Sequence, residues 1–169
     1  MRKIKLMKHL LLLLLFISTL ATAETKVFGY WKVDIYESAS EVLTFSKDPK
    51  TDAFTSTIGI ICNTKDCIAY LYPQNSECVI GSQNMIMLIG KETKASEAQC
   101  INWEGRHVYK LLNEEVVLLF DDDNLQATIP QDDNGVLVYN YITNGFTLTI
   151  PYLLKHADEH NLKLNVEKI

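Results

Sequence analysis

The sequence predicts a mainly β protein, either an antiparallel β-sandwich or a Greek-key barrel, with one short C-terminal helix and stabilising disulfides. Short apolar runs recur at spacings near ten residues, with polar turn residues between them. Segments of helical composition are scarce. Four cysteines follow a leader that directs the chain to a compartment where thiols oxidise. These observations together predict a small exported β domain.

The first 23 residues have the three parts of a secretory signal peptide. Four basic residues lie within the first eight positions, an apolar tract occupies 10–20, and Ala21-Thr22-Ala23 places small residues at both specificity positions of a signal peptidase. The tract is far shorter than the roughly 20 residues that a transmembrane helix needs. No cysteine lies near the cleavage point, since the first is Cys62. We therefore expect removal of 1–23, a single β-rich domain over 24–169, and a periplasmic or secreted location without a lipid anchor.

Removal of the leader makes the charge more acidic. The whole chain has a net charge of −5, whereas the part from Glu24 onward has 12 basic and 21 acidic residues and a net charge of −9. Such a surface repels nucleic acid and anionic lipid, and it attracts cationic proteins or metal ions. The alternative is that acidity only keeps an exported protein soluble. No second long apolar run follows the leader, so we expect no membrane span in the processed protein.

The strands are predicted from alternation and from β-branched residues. Trp31, Val33 and Ile35 alternate with polar neighbours, which indicates a half-buried strand. The wholly apolar segment 116–120 fits a strand that is covered on both faces, and Asn134-Gly135 predicts a hairpin turn. The other expected strands are 42–45, 54–62, 67–72, 85–89, one or two within 100–109, 125–129, 136–142 and 146–150.

One C-terminal segment, 151–161, has the signals of a helix. Pro151 suits the first turn, Lys155 and Glu159 are four residues apart, and Asn161 is suited to end it. Segment 91–99 also has helical composition, with a loop as the alternative. The alternation in 162–166 indicates a final edge strand.

The cysteines are expected to form disulfides. Cys62 and Cys67 bracket four polar residues, so two strands that meet there place them opposite each other. Cys78 and Cys100 then pair, although four cysteines allow three connectivities. Zinc-type spacing and a Cys-x-x-Cys pair are both absent from the sequence.

One motif resembles a catalytic one. His156-Ala157-Asp158-Glu159-His160 resembles the H-x-x-E-H motif of the inverted zinc peptidases, which implies zinc on both histidines and Glu159 as the base. Those peptidases take a third ligand far downstream, whereas only nine residues follow His160 here. We therefore predict no zinc hydrolase, and we keep a small metal-binding protein that uses His156, Glu159 and His160 as the alternative function.

Two acidic segments are candidate partner-binding sites. They comprise Asp121, Asp122 and Asp123, and Asp132 and Asp133. Calcium binding is an alternative, although neither segment has the ligand spacing of an EF-hand loop. Aspartates are also ordinary turn residues. Neighbouring strands between the two segments would place both at one end of the fold.

No nucleophile elbow, phosphate-binding glycine loop or basic cluster follows the leader. The segments Tyr30-Trp31-Lys32-Val33 and Asn144-Gly145-Phe146-Thr147 resemble small periplasmic proteins linked to invasion or type VI secretion. This resemblance implies no residue role and no activity. We expect an exported, non-enzymatic binding protein without a cofactor, such as an inhibitor, immunity protein or envelope accessory, that recognises a cationic protein.

Overall fold

A computed structural model describes residues 24–74, 78–131 and 135–162, which form mainly antiparallel β structure. The ten strands are β1 (Glu24–Phe28), β2 (Trp31–Ile35), β3 (Ala39–Lys47), β4 (Phe54–Asn63), β5 (Cys67–Pro73), β6 (Gln83–Ile89), β7 (Thr93–Trp103), β8 (Arg106–Leu111), β9 (Asn124–Pro130) and β10 (Val136–Ile142). A 3₁₀ helix, Glu114–Asp121, joins β8 to β9, and a second, Phe146–Thr149, leads into helix α1, Ile150–His160. The predicted mainly β class with a short C-terminal helix is confirmed.

Eight of the strands close into a barrel. Their order is β3-β10-β9-β6-β7-β8-β5-β4, and β4 pairs again with β3. Strand β3 closes the ring because one edge pairs with β4 along its whole length, while Ser46 on the other edge pairs with Tyr141 of β10. The first half of that second edge pairs with β2, so β1 and β2 form a hairpin attached to the ring. The structure thus has the barrel and not the sandwich of the two predicted alternatives.

The barrel interior holds the main core. Alternate residues of each strand face inward, as Ile58, Ile60 and Cys62 of β4 do. At one end, the indole of Trp31 lies against the rings of Phe120 and Phe146, with centroid distances of 5.6 and 4.8 Å. Its Nε1 donates to the carbonyl of Thr143 at 2.5 Å. This aromatic group anchors both 3₁₀ helices against the β2 end of the sheet.

A second, smaller cluster lies on the opposite face of β4 and β5. Ile61, Ile68 and Tyr70 pack there with Trp103 and Val108 from the β7–β8 hairpin. Within the part of the chain that the structure describes, the indole Nε1 of Trp103 is buried without a hydrogen-bond partner. The hairpin therefore contributes to the barrel wall and to a layer outside it.

Gly59 of β4 lets this strand approach β3 closely. A Cβ on Gly59 would lie 2.1 Å from the carbonyl oxygen of Val42, so no larger residue fits without a backbone shift. In the sheet, Gly59 lies between Leu43 and Tyr70.

Both predicted disulfides are present and confirmed. Cys62 and Cys67 are directly opposed in β4 and β5, with Cα atoms 4.0 Å apart. Cys78 is bonded to Cys100 of β7, with Cα atoms 5.8 Å apart. The described residues include no free cysteine.

The details of α1 follow the sequence. Pro151 lies in the first turn, and Asn161 ends the helix in the left-handed conformation with φ 54°. Lys155 and Glu159 form the expected i,i+4 pair at 3.9 Å. None of the helices within the described residues has the length and hydropathy that a membrane-spanning helix needs.

Three predicted elements are wrong. The predicted strand 146–150 is the second 3₁₀ helix, Phe146–Thr149, followed by the first residue of α1, because Phe146 and Thr149, three residues apart, are both buried. The segment 116–120 is part of a 3₁₀ helix, because Val116, Val117, Leu119 and Phe120 all turn toward the core. The segment 91–99 is not helical, because most of it lies in β7, where Ser96 and Ala98 face inward between exposed neighbours. The leader 1–23 and most of the predicted edge strand 162–166 lie outside the described residues.

Candidate functional site

The first acidic segment lies where the 3₁₀ helix ends and β9 begins. The Asp121 side chain is exposed and accepts a hydrogen bond from Thr147 Oγ1. Asp123 is exposed as well, and its backbone carbonyl accepts from the amide of Thr143 at 3.1 Å. These two carboxylates are available to solvent at one end of the barrel.

Asp122, between them, is a structural residue. It is 7 % exposed, and its Oδ2 accepts from the backbone amide of Lys91 at 2.6 Å in the turn after β6. A Cβ on Gly90 would lie 2.0 Å from that oxygen, so the contact depends on glycine. The Lys91 ammonium lies 3.5 Å from the other oxygen. Asp122 therefore fixes the β6–β7 turn and offers little to a partner.

Only the first acidic segment lies wholly within the described residues. Asp132 and Asp133 lie outside the described residues, but Pro130 ends β9 and Asp123 directly precedes its start. Strand β9 separates these two residues by roughly 20 Å. The expectation that both segments share one end of the fold therefore stays a prediction.

A cleft of about 380 Å³ lies beside the first acidic segment. It is lined by Lys91, Glu92, Lys94, Leu118, Leu119, Asp121 and Asp122. Its lysines form ion pairs. The Lys94 ammonium lies 3.2 Å from the Glu115 carboxylate and 3.7 Å from that of Glu92. The cleft thus carries both signs of charge in close pairs.

The histidines of the H-x-x-E-H segment lie on one face of α1, where their ring centroids are 4.6 Å apart. His156 is buried, and its Nε2 lies 3.3 Å from the carbonyl oxygen of Asn63 at the end of β4. Glu159 is exposed beside Lys155. Among the described residues, no three His, Cys, Asp or Glu side chains are grouped to hold a metal ion. Metal binding through His156, Glu159 and His160 stays a prediction.

Sequence reasoning missed a network of buried charges on the outside of the barrel. Glu41 of β3 accepts from the Tyr70 hydroxyl at 2.6 Å and from Arg106 at 3.1 Å, and it is 5 % exposed. Asp34 lies directly opposite Glu41 on β2 and is 4 % exposed. It accepts from Thr25 at 2.6 Å, and the Lys32 ammonium lies 2.7 Å away. Charged residues within otherwise apolar strands were the available signal.

The network changes the pKa values of Tyr70 and Arg106. Burial raises the pKa of Tyr70 well above its ordinary value, and the adjacent Glu41 charge raises it further. Burial of the guanidinium lowers the pKa of Arg106. The nearby Glu41 carboxylate raises it by more, so the Arg106 pKa lies above its ordinary value. These groups satisfy one another and attach the β7–β8 hairpin to β3.

No protein family and no curated protein sequence matches this chain. A similar solved structure is that of invasion associated protein B from Bartonella henselae, with a TM-score of 0.58 and 11 % sequence identity. The likeness covers 80 % of this chain and 99 % of that one. At this identity the comparison shows a shared fold alone.

Proposed function

We propose that this protein acts outside the cytoplasm as a non-enzymatic binding protein that recognises a cationic protein, as an inhibitor, immunity protein or envelope accessory does. Its two disulfides support an exported protein, because such bonds persist in oxidising compartments. The leader 1–23 supports a periplasmic or secreted location.

The surface charge is the observation that carries this proposal. Eight of the ten described basic side chains lie within 4.0 Å of a carboxylate, and only Lys50 and Lys65 do not. The carboxylates without such a cation, within the described ranges, include Glu37, Glu97, Glu104, Asp121, Asp123 and Asp158. The charge left after internal pairing is therefore mainly negative, and it favours a basic partner.

Two buried titratable side chains are held by partners within the fold. His156 contacts the Asn63 carbonyl, and Glu41 is held between Tyr70 and Arg106. Each of these titratable groups has a partner within the fold, which favours structural roles for them.

Affinity capture followed by reconstitution tests the proposal. The immobilised protein is exposed to cell-envelope extract at low and high salt, and each captured protein is purified and its affinity measured. We expect a basic partner whose affinity falls as salt rises, and we expect Asp121→Asn with Asp123→Asn to weaken it. Asp158→Asn with Glu104→Gln removes the same charge from two other exposed carboxylates and is the matched control. A neutral or acidic partner, or an affinity indifferent to salt, would contradict the proposal.

A further inference from the structure

The outward surface of three adjacent barrel strands is unusually apolar. We call it the apolar face, and its side chains come from β6 and β10: Met85, Met87, Ile89, Val136, Val138 and Ile142. Val136 is 58 % exposed, Val138 49 % and Met85 46 %. Isolated exposed apolar residues are ordinary, whereas a contiguous group marks an interaction surface.

Strand register shows that the group is contiguous. Met87 pairs with Thr128 of β9, which pairs with Val138 of β10. Val136 pairs with Pro130, two residues further along β9. Neighbouring strands are about 4.8 Å apart, so the β6 row and the β10 row lie roughly 10 Å apart, and Thr128 and Pro130 of β9 fill the row between them.

A shallow depression of about 320 Å³ continues the face toward the other end of the strands. Ile89 and Ile142 lie on its rim, with Gln126 and Asn140 between them. The Gln126 amide donates to the Asn140 carbonyl oxygen at 2.9 Å, so these two polar groups pair with each other. The depression gives the outer wall of the barrel a recess into which a side chain of a partner can insert.

The border of the face is acidic. Glu97 lies directly opposite Met85 on β7 and is exposed, and Asp123 precedes the first residue of β9. The nearby cations are already paired, since Lys91 lies beside Asp122 and Lys47 lies 2.9 Å from Asp52.

We propose that the apolar face is the docking surface for the cationic partner, which contacts it with apolar side chains surrounded by lysine or arginine. This inference rests on the proposed function and names the surface that performs it. A second copy of this chain is a poorer occupant, because two copies with a net charge of −9 each repel. Methionines suit such a surface, since their flexible side chains adapt to a partner.

The methionines also provide the test. Met85 and Met87 are the only methionines after residue 23, so ¹³C-methyl labelling reports on this face. The protein is recovered from expression of the full-length gene, and Met85→Leu and Met87→Leu assign the signals. The probes are a synthetic peptide that alternates leucine and lysine and a serine–lysine peptide of equal charge.

We expect the leucine–lysine peptide to shift both methyl signals and to bind about tenfold more tightly than the serine–lysine peptide. The nearly isosteric Met85→Gln with Val138→Thr should weaken its binding by about tenfold. Leu148→Gln, at another exposed apolar residue, should leave it unchanged.

Three outcomes would overturn the inference. Equal binding of both peptides with unmoved methyl signals would leave cationic recognition intact and place it elsewhere. Failure of both peptides to bind would exclude this face, while capture and reconstitution still decide the proposed function. Dimerisation in sedimentation experiments that Val138→Thr abolishes would assign the face to a second copy.

Discussion

The guanidinium of Arg106, on β8, lies 3.1 Å from the carboxylate of Glu41, on β3, although β5 and β4 lie between these strands in the barrel. The pair spans the second cluster, in which Trp103 and Val108 pack against Ile61 and Tyr70. A single ion pair thus connects a hairpin to a strand far from it in the sequence.

Loss of Arg106 should destabilise the fold. Arg106→Ala leaves the buried Glu41 carboxylate with Tyr70 alone and with Asp34 directly opposite. We expect a loss of about 2 kcal/mol in the free energy of unfolding in urea, since Arg106 is itself partly exposed. Adding Glu41→Gln should restore part of that loss, because it removes the uncompensated charge. A double variant as unstable as Arg106→Ala would contradict this role.

Two buried tyrosines predict a loss of stability in alkali. Burial raises the pKa of both Tyr70 and Tyr141, so the folded protein keeps protons that the unfolded chain releases near pH 10. The stabilisation is complete below about pH 10 and decreases above it, by about 1.4 kcal/mol per pH unit for each tyrosine.

Urea unfolding between about pH 8 and about pH 11 measures this slope. Tyr70→Phe should reduce the slope, whatever its effect on stability at neutral pH. A slope that is identical in wild type and in this variant would exclude Tyr70 as its source.

Gly59→Ala tests the close approach of β3 and β4. The added methyl group would lie 2.1 Å from the Val42 carbonyl oxygen, so the strands must separate. We expect a loss of about 3 kcal/mol, measured by urea unfolding. Gly81→Ala is the control. A Cβ on Gly81 would meet no atom within 4 Å, so the only strain comes from its φ of +86°. We expect that strain to cost about 1 kcal/mol. Equal losses in the two variants would be inconsistent with steric contact at Gly59.

The two histidines of α1 should differ in their effect on stability. His156 is buried against Asn63, so His156→Ala should cost about 2 kcal/mol, whereas His160→Ala should cost less than about 0.5 kcal/mol. Calorimetric zinc titration decides the metal alternative. Stoichiometric binding that is lost in both variants would replace this structural role with a metal site.

Alternation made most of the fold predictable. In β2, the alternation of Trp31 and Val33 with polar residues predicts a buried face. The spacing of Cys62 and Cys67 predicts the β4–β5 hairpin and its disulfide. The first part of strand β7 was not predicted, because its inward residues include Ser96 and Ala98, which are small and give little hydrophobic alternation. The alternation of small inward and polar outward residues was the signal available there.

The surfaces were harder to predict than the strands. Asp121, Asp122 and Asp123 look alike in sequence, but only Asp122 meets the Lys91 amide, because Gly90 leaves space for it. The placement of Met87 and Val138 on either side of Thr128 depends on the order β6-β9-β10 in the barrel. Such long-range strand order follows from the whole topology and not from local pattern.

Intact mass spectrometry, with and without reduction before alkylation, tests most directly whether this protein is exported and its cysteines are oxidised. For protein recovered after expression of the full-length gene, we expect the mass of residues 24–169, with alkylation of four thiols only after reduction. A mass that retains residues 1–23 and four thiols that react without reduction would contradict it.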